Sequence, residues 1–289
     1  MQQDAYLLGL VGTGTTPSLT PALHMAEGRA QGLSYVYRPI DLSVLGVGPE
    51  RLPEILDWAE RLGFDALNVT HPCKRSVIPH LDRLDPLAEA LGAVNTVRFT
   101  AEGRIGHNTD STGFERGFRT GLPDAPVGSV VLVGAGGAGA AVADALLRIG
   151  VERLVIVDLE PVAAVALAAD LGDRHPDSRV EGASTPELAG LLADADGVVH
   201  CTPVGMHDHP GLPFDPALLR PELWVADIVY RPLKTGLLRA ARAIGCRTLH
   251  GGAMAVGQAI DTFALVTGRE ADPERMHRQF QRLVSDDGA

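Results

Sequence analysis

Of the 25 Lys and Arg residues in this 289-residue chain only two are lysines, Lys74 and Lys234. Lys74 closes the stretch NVTHPCK (68–74). Arginine keeps its proton at any useful pH, whereas a partly desolvated lysine amine can release one and recover it. A lysine retained where arginine is the rule therefore points to proton transfer. A second stretch, GHNTDSTGF (106–114), presents a carboxylate at Asp110 where a helical run begins. A carboxylate beside the amine would orient it and favour its ammonium form, so the two residue types together make an acid–base pair. The spacing leaves the plainer readings open: Lys74 as a solvated surface side chain, Asp110 as a helix N-cap.

Gly134, Gly136 and Gly139 form G-x-G-x-x-G directly after the strand-like run SVVLV and at the start of an alanine-rich helical run. The first glycine permits a tight turn, the second lets a pyrophosphate approach the backbone, and the third allows helix and strand to pack closely, while the helix N-terminus attracts negative charge. Such a triplet alone is weak. The next strand-like run, RLVIVD, ends in Asp158 at the distance where a carboxylate accepts the ribose hydroxyls of an adenosine. That carboxylate would repel a 2′-phosphate, and the following Leu-Glu-Pro supplies no arginine to pair with one, so NAD is expected rather than NADP. The competing reading of Asp158 is an ordinary strand-end cap.

The elements that must hold these residues follow a β–α rhythm. Up to about residue 110, strand-like runs (YLLGLVG, SYVYRPID, FDALNVT) alternate with helical ones (TPALHMAEGRAQG, PERLPEILDWAERLG), with Thr20 read as an N-cap and Pro21 as the first helical residue. AVNTVRFT and GRIGHNTD flank AEG as a hairpin. GLPDAPVG (121–128) marks the approach to a second unit. There the runs after the glycine turn, RLVIVDLE, PVAAVALAADLG, DGVVHCTP, LWVADIVY, KTGLLRAARAIG and CRTLH, predict a doubly wound sheet. The last 35 or so residues read as two helices packing back on the first unit.

A formal net charge of −11 argues against a nucleic-acid partner, which would need a long basic surface. A local cluster of donors can still hold a small acidic molecule. Cys73, Cys201 and Cys246 are odd in number and show no C-x-x-C spacing, so neither a disulfide framework nor a zinc site is indicated, and a reducing cytoplasm fits. No apolar stretch reaches the roughly 18 residues of a spanning helix, so no membrane partner is expected. His207 and His209 in HDHP have no third ligand at metal spacing and read as a surface loop, His24 reads as a packing residue, and Cys73 as a small apolar filler.

SLTP with His24, NVTHPCK, GAVNT, GHNTDSTGF, GAGGAG, CTPVGM, DIVYRP and GGAMAVGQA occur in the order in which they occur in the shikimate dehydrogenase family, which the chain resembles over nearly its full length. The resemblance implies a two-domain α/β enzyme: residues 1–110 with 253–289 as a substrate-binding catalytic domain with a mainly parallel sheet, and 111–252 as a Rossmann-type NAD-binding domain. It implies oxidation of one ring hydroxyl of a cyclohexane or cyclohexene carboxylic acid, with hydride passing to a nicotinamide. Lys74 and Asp110 match the family's catalytic pair. Thr70, Asn95 and Gln258 match positions that bond substrate hydroxyls, and Ser18, Thr20 and Tyr230 those around its carboxylate. Gly134, Gly136, Gly137, Ala138 and Gly139 would face the pyrophosphate, while Thr202, Val204, Met206, Val229, Gly252 and Met254 fall in segments used near the nicotinamide.

Three departures from the common pattern refine this. DLEP stands where NADP-using members carry an Asn-Arg-Thr-like turn, Thr20 replaces a second serine, and His71 and Cys73 alter the lysine motif. Asp158, Thr20 and His71 together resemble the NAD-dependent quinate/shikimate dehydrogenase branch. Aminoquinate or aminoshikimate is the alternative substrate, and a non-catalytic ligand-binding regulator of the same fold the alternative class.

Overall fold

The computed structural model describes residues 4–287, which divide into two compact units, one running through Thr109 and resuming at Gln258, the other Asp110–Gly257. The first unit is built from β1 (Ala5–Gly12), α1 (Thr20–Ala30), β2 (Ser34–Asp41), α2 (Leu42–Leu45), α3 (Leu52–Arg61), β3 (Ala66–Val69), α4 (Cys73–Ser76), β4 (Arg83–Leu84), α5 (Pro86–Leu91), β5 (Thr96–Thr100) and β6 (Gly103–His107). Its sheet has the order β2-β1-β3-β5-β6-β4. The pairs β1–β2, β1–β3 and β4–β6 are parallel, whereas β3–β5 and the hairpin β5–β6 are antiparallel. β3 carries the sequence ALNV and is buried along its whole length, as a central strand covered on both faces must be.

α1 begins at Thr20 itself, with Leu19 as the cap residue, so Thr20 is not the N-cap. The hydroxyl that meets its backbone is Ser18 Oγ, which accepts the Thr20 N–H at 3.3 Å. The one-residue shift has a physical cause: Ser18 supplies the acceptor expected of Thr20. β4 and the one-turn helices α2, α4 and α5 are too short to show a period in the sequence.

The second unit contains α6 (Asp110–Gly121), β7 (Ser129–Val133), α7 (Gly137–Ile149), β8 (Arg153–Asp158), α8 (Pro161–Arg174), β9 (Arg179–Ser184), α9 (Leu188–Ala193), β10 (Gly197–His200), β11 (Trp224–Asp227), α10 (Gly236–Ile244) and β12 (Thr248–His250). Its six strands are all parallel in the order β12-β11-β10-β7-β8-β9. The chain starts in the middle at β7, winds outward to β9, then returns to β10 on the other side, which makes the β7/β10 junction the topological switch point where such sheets take ligands. β9 was not anticipated, because RVEGAS is polar and half-exposed at the sheet edge. Gly182 admits it: a Cβ there would lie 2.6 Å from the Val165 backbone of α8.

Two helices complete the chain, α11 (Gly252–Thr267), whose residues from Gln258 belong to the first unit, and α12 (Pro273–Asp287). Within the first unit α12 is tied to α1 by Arg275, whose Nε and Nη2 each donate to the buried Glu27 carboxylate at 2.6 Å. Burial alone would raise the Glu27 pKa. The Arg275 bonds, the Asp272 N–H and Gln31 outweigh it and hold the carboxyl below its usual value. Among the described residues no helix is long and apolar enough to cross a membrane.

Candidate functional site

In the first unit the residues singled out gather at the C-terminal end of β3. Thr70 follows the strand directly, and its carbonyl accepts the Cys73 N–H at 2.8 Å, opening α4. Lys74 therefore sits on the one-turn helix α4. The Lys74 carbonyl accepts Val94 N–H at 2.8 Å and the Asn95 carbonyl accepts Val69 N–H at 2.7 Å, so the lysine segment and the Asn95 segment are laced together through backbone. Cys73 is fully buried among Val11, Leu67, Val77 and Val94, and burial raises its thiol pKa, which is the behaviour of an apolar filler.

Asn95 is held by a chain of buried polar groups. Its Oδ1 accepts Thr109 N–H at 2.8 Å and the Thr96 hydroxyl at 3.0 Å, and its Nδ2 donates to Thr109 Oγ1 at 2.9 Å. Thr96 Oγ1 in turn accepts Asn68 Nδ2 at 2.8 Å, and Asn68 Oδ1 accepts the Tyr37 hydroxyl at 2.5 Å. A backbone N–H can only donate, so the Thr109 contact fixes which end of the Asn95 amide is oxygen. The Asn95 Nδ2 group thus carries the amide's donors, one of them given to Thr109 Oγ1. Thr262 Oγ1 lies 3.0 Å from Thr109 Oγ1, and Gln258 is one turn before Thr262 on α11, hence on the same helix face.

The segment carrying Ser18 and Thr20 is fastened by Asp41, whose carboxylate accepts Gly14 N–H, Thr16 N–H, the Thr16 hydroxyl and Ser43 N–H at 2.8–3.1 Å. Burial pushes its pKa up, but these four donors prevail and hold it at about 2. Thr13 N–H donates to the His71 carbonyl at 2.9 Å, joining this segment to the lysine motif. Asp41 and Asn68 were not anticipated. The signal for Asn68 was its amide inside an otherwise apolar strand.

The second unit holds the glycine turn. Gly134 has φ +112°, and a Cβ there would lie 2.9 Å from Thr202 Cγ2 and 3.0 Å from the Cys201 backbone. Gly139 packs so tightly that its Cβ would fall 1.9 Å from the Gly134 carbonyl oxygen. A Cβ on Gly136 or Gly137 meets no atom within 4 Å, and Gly136 caps α7 without a side-chain bond, leaving bare backbone N–H groups at a helix N-terminus. Ala138 lies half-buried in the first turn of α7. Asp158 ends β8 as expected, its carboxylate accepting Ala135 N–H at 2.6 Å and Glu160 N–H at 2.9 Å. It bridges the glycine turn to the next turn. This donor set fits a dinucleotide: bare N–H groups for a pyrophosphate, and a carboxylate with further lone pairs for ribose hydroxyls.

At the C-terminal ends of β10 and β11 lie Thr202 and Val229, joined by a polar network the sequence reading missed. His200 Nδ1 lies 3.0 Å from Asp227 Oδ1 and His200 Nε2 lies 2.5 Å from Thr202 Oγ1. Asp227 also accepts Val229 N–H at 3.0 Å and the Thr235 hydroxyl at 2.6 Å. Val204 and Met206 lie in the segment after Thr202, which bridges to His209, and Met206 is exposed. His207 and His209 are exposed in that same segment, and among the described residues no group of three or more His, Cys, Asp or Glu side chains is placed to hold a metal ion. Gly252 and Met254 open α11, Tyr230 follows β11, and Asp110 is the buried first residue of α6, where a carboxylate complements the helix dipole. His107 bonds Asp85 at 2.7 Å, and His24 is buried against Tyr35, Tyr37 and Phe263.

The model for the shikimate dehydrogenase substrate-binding domain matches residues 10–97. The shikimate dehydrogenase (NADP(+)) of Streptomyces avermitilis is 58% identical over 284 residues, covering 98% of both chains. The quinate/shikimate dehydrogenase (NAD(+)) of Corynebacterium efficiens is 50% identical, covering 98% of this chain and all of the other. Quinate dehydrogenase from Corynebacterium glutamicum, solved in complex with NAD, superposes with a TM-score of 0.89 at 48% identity, over 97% of this chain and 100% of the other. With identity of this order across the full length of both units, the chain belongs to the shikimate dehydrogenase family.

Proposed function

We propose that the protein is an NAD-dependent quinate/shikimate dehydrogenase, oxidising quinate to 3-dehydroquinate and shikimate to 3-dehydroshikimate. The observation that carries the cofactor assignment is Asp158, a carboxylate fixed by two backbone N–H groups at the end of β8. It accepts the ribose hydroxyls and repels a 2′-phosphate. Relatives named for NADP (58% identity) and for NAD (50%) both lie near this chain, and Asp158 is the feature that supports reading it as an NAD enzyme. Gly134, Gly136, Gly137, Ala138 and Gly139 hold the pyrophosphate. Thr202, Val204, Met206, Val229, Gly252 and Met254 surround the nicotinamide half.

NAD, when bound, supplies the hydride acceptor. The chain's own residues bind the ring and move the proton. Ser18, Thr20 and Tyr230 hold the carboxylate, while Thr70, Asn95 and Gln258 bond the ring hydroxyls, since a buried hydroxyl left without a partner is costly. The Lys74 amine takes the hydroxyl proton as the carbinol carbon gives up its hydride and the carbon–oxygen bond becomes a carbonyl; in reduction the ammonium returns it. Asp110 orients Lys74 and stabilises its charged form.

The test is initial-rate formation of NADH by the purified protein with quinate, shikimate, aminoquinate and aminoshikimate. Rapid turnover of quinate or shikimate supports the assignment. Turnover confined to the amino analogues shifts the substrate, and binding without turnover of any makes the protein a ligand-binding regulator.

A further inference from the structure

The network at the ends of β10 and β11 has a direction. His200 is fully buried and Asp227 nearly so. An ionised carboxylate only accepts, so the hydrogen between His200 and Asp227 is on His200 Nδ1. Val229 N–H and the Thr235 hydroxyl occupy other lone pairs of the same carboxylate, and Thr235 Oγ1 caps α10 by accepting Leu238 N–H at 3.2 Å. For the neutral ring, Nε2 then has only a lone pair, and the Thr202 hydroxyl must donate to it. Thr202 Oγ1 also takes Val204 N–H at 3.3 Å. The Thr202 methyl meanwhile packs beside Gly134, where a Cβ would come within 2.9 Å. Thr202 is thus wedged between the glycine turn and His200 and, with the His200 ring neutral, its only proton is committed inward.

We propose that Asp227 and His200 are positioning residues that hold the Thr202 hydroxyl proton inward, so that Thr202 offers its oxygen solely as an acceptor, to the amide N–H of the nicotinamide. This rests on the reading of the second unit as a nicotinamide dinucleotide site. The carboxamide carries a donor at one end and an acceptor at the other, and an acceptor-only Thr202 selects which end faces it. The same carboxylate that orients His200 also fixes the Val229 N–H, so both strand ends are set by one buried group.

The test uses NADH and ADP-ribose as probes, because ADP-ribose lacks the nicotinamide. His200→Asn keeps a donor toward Asp227 but is too short to reach Thr202, and Thr202→Val removes the hydroxyl at nearly constant volume. Each is expected to weaken NADH binding about tenfold. ADP-ribose affinity should stay within about twofold. The double variant should bind NADH no worse than the weaker single variant, because both act on one contact. Thermal melting of each variant separates folding from binding. Equal weakening of NADH and ADP-ribose, unchanged NADH binding in His200→Asn, or losses that add in the double variant would each overturn the proposal while leaving the cofactor reading intact. Failure of the wild-type protein to bind NADH at all would overturn both. Should His200→Asn not fold, His200→Ala, which also cannot reach Thr202, paired with Thr202→Val completes the same cycle.

Discussion

The two units make their sites by opposite means. The glycine turn of the second unit works by removing side chains: Gly139 lies where a Cβ would strike the Gly134 oxygen, and Gly136 and Gly137 leave backbone N–H groups bare. The first unit works by adding them, with Tyr37, Asn68, Thr96, Asn95, Thr109 and Thr262 linked in one buried network. A backbone cradle recognises a pyrophosphate, which many molecules share. A polyhydroxylated ring has to be recognised hydroxyl by hydroxyl, and that takes amide and hydroxyl groups whose donor and acceptor ends are fixed in advance.

The comparison breaks most visibly at Lys74. Lys74→Ala should lower kcat by about 10²–10⁴-fold while NADH affinity, measured by fluorescence titration, is retained. Near-native turnover would remove Lys74 from the mechanism. Next in size is Gly139→Ala, where the new methyl collides with backbone and not with a movable side chain. A stability loss of about 3 kcal/mol with loss of NADH binding is expected, read by chemical denaturation and titration; wild-type affinity would mean the turn relaxes freely.

Asn68→Ala sharpens the contrast from the other side. It strands the Tyr37 hydroxyl and a lone pair of Thr96, at a cost of about 2 kcal/mol, and it should raise KM for the ring substrate with little change in NADH affinity. Equal loss of both would show that the network supports the fold alone. The smallest effect concerns His24, whose pKa burial lowers from 6.5 to about 3 despite the raising influence of Glu27. The unfolded chain binds this proton first as pH falls, so the stability held by neutral His24 is full above pH 6.5 and drains below it. The slope reaches at most about 1.4 kcal/mol per pH unit. Denaturation midpoints at pH 7 and 5.5 should differ less in His24→Leu than in the wild type; an unchanged difference would assign the slope elsewhere.

What the sequence made legible follows the same division. The glycine turn, Asp158 and the order β7–α7–β8 were readable because glycines and strand-end carboxylates act through local spacing. β9 was hidden because it is held by Gly182 against α8, not by its own apolar pattern. The bonds that anchor Asn68 to Tyr37 and Thr96, and His200 to Asp227, join residues 27 or more positions apart, so only the fold brings them together. Even there a trace existed: Asn68 in ALNV, His200 in GVVH and Asp227 in WVAD are each polar residues in buried strands, and a buried polar group needs a partner.

Asp158 carries the cofactor assignment, and the measurement that tests it is kcat/KM for NAD against NADP with quinate and shikimate, in the wild type and in Asp158→Ala. The wild type should favour NAD by at least about tenfold, and the variant should lose much of that preference by weakening NAD and tolerating NADP. Equal or better use of NADP by the wild type would contradict the assignment.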